Sequence, residues 1–78
     1  MTAPAFAAVV AGVLEVEPID ITDDASQDTL ASWTSMRHIQ LVVTLEESYG
    51  LSFDYEEIRD VRTIRGFRDV LVAKGVEL

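Results

Sequence analysis

Apolar residues recur at helical spacing along this chain, and Pro18, Gly50 and Gly75 stand where that spacing stops. Proline cannot continue a helix, and glycine readily takes the left-handed backbone that ends one. Phe6, Val9, Val10, Val13 and Leu14 fall at i, i+3, i+4, i+7 and i+8, one face of a surface helix. That helix is expected from about Ala3 to Glu15, helped by Ala7, Ala8 and Ala11, with Pro4 tolerated in its first turn. Pro18 forbids its continuation and pushes Glu17 toward an extended conformation. A second helix is predicted from Ser35 to Tyr49, ended by Gly50. Its Met36, Ile39, Leu41, Val42, Val43, Leu45 and Tyr49 cover more than one stripe, which predicts contact from several sides.

Asp54 followed three positions later by Glu57 is a capping box, and it opens a short third helix with Ile58 inward. Thr63 caps a fourth helix, where Ile64, Phe67, Val70 and Leu71 keep the 3.6 period until Gly75. Arg65 and Asp69 are spaced to pair at i,i+4 on its wet side. Between the first two helices, Pro18 to Ser32 is rich in Asp, Thr and Ser and reads as a long loop anchored by Ile19, Ile21 and Leu30. No segment alternates as a strand does. The expected fold is all-α: one domain over residues 1–78, a four-helix bundle with a long first loop and a short third helix. Its expected core is Phe6, Val10, Ile39, Val43, Leu45, Ile58, Phe67 and Leu71. A chain of 78 residues buries only about 60% of its unfolded surface, and with no cysteine it has no disulfide to add stability.

Charge narrows the function. Fourteen acidic against six basic residues give a net charge of −8, which argues against binding nucleic acid and for a basic partner surface. Residues 1–36 carry six acids and neither Lys nor Arg, and residues 46–57 carry five acids and again no base. The expected docking surface is therefore the loop and the second helix. The apolar stretch from Ala3 to Leu14 has no basic residue before it and is too short to span a bilayer. A monomeric cytoplasmic protein is expected.

Chemistry of its own is not expected of this chain. Gly12, Gly50, Gly66 and Gly75 are too scattered for a phosphate-cradling loop. Asp20, Thr22 and Asp24 mimic the start of a calcium loop, but Ala25 and Ala31 stand where the glycine and the bidentate glutamate belong. The adjacent pairs Glu46-Glu47 and Glu56-Glu57 point apart on a helix. His38, the only histidine, lies three residues after Ser35 with no Asp placed to orient it, so it is expected at the surface.

The run from Trp33 through Ser35 to Gly50 resembles the second helix of acyl carrier proteins. In that family an Asp-Ser-Leu signature leads into an apolar helix, then Leu-Glu-Glu, an aromatic and a glycine. Here Thr34-Ser35-Met36 stands at the signature, and Leu45-Glu46-Glu47-Ser48-Tyr49-Gly50 repeats the ending. Ile58 and the Thr63-Ile64 step are similar to the family's third helix and the start of its fourth. The likeness runs from Phe6 to Leu71 in length, order and loop position. Trp33 is similar to the Trp-Asp-Ser-Leu run of free-standing carriers in natural-product pathways.

The resemblance implies a 4′-phosphopantetheine arm, moved from coenzyme A onto Ser35 by a phosphopantetheinyl transferase. The arm's thiol would carry acyl, polyketide or aminoacyl groups as thioesters between loading and condensing enzymes. A peptidyl carrier of a nonribosomal peptide pathway is the nearest alternative. An unmodified acidic helical adaptor, with Ser35 or Thr34 acting only as a helix cap, is a third. Of the serines, Ser35 suits an anion best, because it opens a helix whose free N–H groups and dipole face it. Thr34, Met36, Arg37, Glu46 and Glu47 are the expected partner-docking residues. Thr34 in place of aspartate and the basic Arg37-His38 step depart from the family pattern and imply a dedicated set of partner enzymes.

Overall fold

The structure, a computed structural model, describes residues 5–78, so the expected start of the first helix at Ala3 and Pro4 lies outside the described residues. Four α-helices follow one another: α1 (Phe6–Leu14), α2 (Ser35–Tyr49), α3 (Tyr55–Asp60) and α4 (Ile64–Ala73), with a 3-10 turn at Pro18–Asp20. Among the described residues there is no strand, only an isolated antiparallel bridge between Ser26 and Thr63. The fold is a small helical bundle.

Pro18 is not what ends α1. The chain turns left-handed at Glu15, with φ 57°, and the N–H groups of Glu15 and Val16 both reach the Ala11 carbonyl. A non-glycine residue there costs on the order of 1 kcal/mol, and the Leu14 just before it is fully buried. The 3-10 turn then throws Ile19 outward, 85% exposed, and Ile21 takes the core position instead. Of the expected loop anchors, Ile21 is therefore buried, Leu30 is half-buried and Ile19 is no anchor.

The rest of the loop is tied to α4. Ala25 and Asp23 offer their carbonyls to the N–H groups of Ile64 and Arg65 at 3.0 and 2.9 Å. The Thr63 hydroxyl accepts from Gly66 at 3.1 Å. The first three amides of α4 are thus all satisfied, and a long loop becomes part of a helix cap. Asp23 also draws in the basic side chains of α4, at 3.7 Å from Arg65 and 3.4 Å from Arg68. Arg65 therefore pairs with the loop, not with Asp69 as its i,i+4 spacing suggested.

Helix α2 runs from Ser35 to Tyr49 and stops at Gly50 with φ 66°. It is buried on one side only: Leu41, Val42 and Leu45 face the core. Ile39 and Val43, expected in the core, are 53% and 45% exposed. Only one side of α2 is covered, so the helix is an edge of the bundle and not its middle. Ile58 is only half-buried. The core centres on Phe6, Val10 and Leu14 of α1, the α2 residues just named, and Ile64, Phe67 and Leu71 of α4. Trp33, at the end of the loop, is 2% exposed and is one of its largest members.

Six residues are too few for a helix to stand unsupported. The capping box expected for α3 is formed, with Asp54 N–H donating to Glu57 Oε1 at 2.8 Å. That bond, with Lys74 3.0 Å away, holds the Glu57 carboxyl below its usual range. Glu46 reaches across from α2, its Oε2 accepting from Phe53 N–H at 2.8 Å.

Candidate functional site

Thr34 has an extended backbone and its hydroxyl accepts from Arg37 N–H at 3.2 Å, so it is the N-cap of α2 and Ser35 is the first helical residue. Ser35 is exposed. Among the described residues its N–H and that of Met36 have no hydrogen-bond partner. Two amides and the positive end of a 15-residue helix therefore face solvent around one hydroxyl. An anion attached to that hydroxyl is stabilised there.

The expected docking residues separate into three groups. Thr34 and Met36 sit at the exposed helix start, Met36 being 73% exposed. Met36, Ile39 and Val43 then form an outward stripe at i, i+3 and i+7. Arg37 turns the other way: its Nη1 donates to the Val13 carbonyl at 2.9 Å and its Nη2 lies 3.4 Å from Glu15. That pair joins α2 to the strained end of α1. Glu47 is exposed, whereas Glu46 is engaged with the α2–α3 loop.

Beside Ser35 lies a groove of about 320 Å³ between α2 and α3. Its walls include Ile39, Ile58 and Val61, and Tyr55, Arg59 and Arg62 also line it. Arg59 grips Asp60 through two hydrogen bonds of 2.8 and 3.1 Å, which hold the Asp60 carboxyl below its usual range. No carboxylate lines the groove, in a chain where acids outnumber bases.

His38 is not the surface residue that its sequence context suggested. It is half-buried, its Nδ1 3.2 Å from Trp33 Nε1 and its Nε2 2.9 Å from the Ile58 carbonyl. Its ring stacks on Trp33 at 5.9 Å with planes 16° apart and lies 5.4 Å from Phe67. Trp33 precedes the cap and His38 is the fourth helical residue, the two positions of a hydrophobic staple. That spacing is a legible signal for both residues. Among the described residues, no group of three or more His, Cys, Asp or Glu is placed to hold a metal ion. No helix among them is long and apolar enough to cross a membrane. No protein-family model matches the chain.

Proposed function

We propose that this protein is a carrier protein, modified on Ser35 by phosphopantetheine. The observation that carries the reading is the exposed Ser35 hydroxyl at the open start of α2, with the Ser35 and Met36 amides unpartnered beside it among the described residues. In the transfer, Ser35 Oγ bonds to the phosphorus of coenzyme A that bears the pantetheine. The pyrophosphate bond breaks, adenosine 3′,5′-bisphosphate leaves, and the serine proton passes to a base of the transferase. Once attached, the arm supplies a thiol on which an acyl or aminoacyl group is held as a thioester. The protein's own part is to hold the anionic link at a helix N-terminus and to offer a docking face.

The stripe of Met36, Ile39 and Val43 supports the docking role, since an exposed apolar row beside an attachment point suits transient partners. Glu47 at its far end and the net charge of −8 favour a basic partner, so loading should slow as salt is raised. The cargo is an acyl or polyketide group of a secondary pathway, or an amino acid if the protein is a peptidyl carrier.

Incubation with coenzyme A and a broad-specificity transferase tests the reading. Mass spectrometry should show the gain of one phosphopantetheinyl group, absent from Ser35→Ala. No gain with any transferase would leave Ser35 as the first residue of a capped helix and the chain as an adaptor.

A further inference from the structure

The two contacts of His38 determine where its proton sits. A carbonyl oxygen only accepts, so Nε2, 2.9 Å from the Ile58 carbonyl, carries the hydrogen. An indole N–H only donates, so Nδ1, 3.2 Å from Trp33 Nε1, offers its lone pair. Only the neutral ring in this one tautomer makes both bonds. Turning the ring over does not help the doubly protonated form, because either nitrogen would then present a hydrogen to the indole.

What the ring joins gives this chemistry its use. Ile58 belongs to the last turn of α3, where Val61 N–H bonds to Glu57 and the Ile58 carbonyl has no backbone partner. Trp33 is buried and two residues before Ser35, and His38 itself lines the groove beside that serine. We infer that His38 is a positioning residue: as the neutral Nε2–H tautomer it fastens α3 and the buried Trp33 to the start of α2, and a second proton undoes the Trp33 bond. The functional consequence, at the Ser35 end of α2, rests on the carrier reading; the fastening does not.

The surroundings contain nothing that would take over. From α3, Tyr55 and Arg59 face the same groove, with Arg59 held by Asp60; Arg62 comes from the α3–α4 link. From α4, Phe67 offers only its ring. On α2 itself, Arg37 points away to Val13 and Glu15. No carboxylate lines the groove to hold the ring once it is charged.

The test uses the unmodified full chain in solution, acidified from about pH 8 to pH 5.5, above the ordinary carboxylate range. Nitrogen-15 NMR should report the Nε2–H tautomer at the upper end. Wherever the ring carries a proton on both nitrogens, the Trp33 indole N–H resonance and the Ser35 and Met36 amides should be displaced. Glutamine offers one acceptor and one donor without a titrating group, so His38→Gln should keep the high-pH pattern throughout. His38→Leu should show the displaced indole signal at every pH. An Nδ1–H tautomer, or an indole signal that is the same whether the ring carries one proton or two, would overturn the inference. A transferase assay on the same variants separates the two ideas. Modification that falls on acidification for the parent but not for His38→Gln supports both. NMR shifts without any modification would remove the carrier reading and leave the fastening in place.

Discussion

Both α2 and α4 begin on a threonine whose hydroxyl accepts the third amide of the helix, from Arg37 at 3.2 Å and from Gly66 at 3.1 Å. At α4 the other two amides are taken by the Ala25 and Asp23 carbonyls, and the first helical residue, Ile64, is 0% exposed. At α2 the corresponding residue is the exposed Ser35, and among the described residues no partner meets its amide or that of Met36. One helix start has been closed by the long loop and serves stability. The other has been left open, and an open start is what an anion needs. The same local signal thus has two outcomes, a closed helix start and an open one, according to what the rest of the chain brings to it.

The largest effect that sharpens this contrast is in the core. Phe67 is fully buried in the first turn of α4, stacked near Trp33 at 6.1 Å and meeting Phe53 edge-on at 5.9 Å. Phe67→Ala should cost about 3–5 kcal/mol and unfold much of the population. Ile39→Ala, near the start of α2 but exposed, should cost well under about 1 kcal/mol. Urea denaturation of the two variants measures the gap, and similar midpoints would mean that the two helix starts are equally embedded.

The caps come next. Thr63→Ala should cost about 1–2 kcal/mol, because the same turn also holds the loop, whereas Thr34→Ala should stay nearer 0.5–1 kcal/mol. Equal losses would break the comparison. A carboxylate at the first helical position reads the same difference by sign. Ser35→Asp should stabilise by about 0.3–1 kcal/mol at low salt, an effect that fades as salt is raised. Ile64→Asp places the same charge in the core and should prevent folding.

The smallest effect belongs to α3, whose start is capped mainly by its own residues. Glu57 is held below its usual range first by the Asp54 amide and then by Lys74. A carboxylate depressed in the fold adds stability above its ordinary value, and that stability is lost as the pH falls through the folded value. The urea midpoint of the parent should therefore drop between about pH 6 and pH 3 more steeply than that of Glu57→Gln. Identical slopes would show that the bond to Asp54 is not kept in solution.

Several elements are legible in the amino-acid sequence because their signals are local. The Gly50 stop, the Asp54–Glu57 box and the Thr63 cap all form as the sequence indicates. Each depends on a hydroxyl, a carboxylate or a backbone angle within four residues of where it acts. Ser35 at the start of α2 belongs with them, so the candidate site is readable as a position. The buried face of α2 is not, since Met36, Ile39, Leu41, Val42 and Val43 are all apolar and periodicity cannot choose among them. His38 misleads for a related reason: one of its two hydrogen bonds goes to Ile58, twenty residues away, and its ring also meets Phe67 of α4.

The amino-acid sequence by itself determined four helices, the stop of α2, the caps of α3 and α4, the net negative charge and the serine that opens α2. The tertiary structure alone decided which helix starts are closed, which side of α2 stays bare, and that Arg37 turns inward to Val13 while Asp23 gathers Arg65 and Arg68. The physical reason is range: a cap is settled by neighbours along the chain, whereas burial and long ion pairs depend on segments brought together only when the core forms.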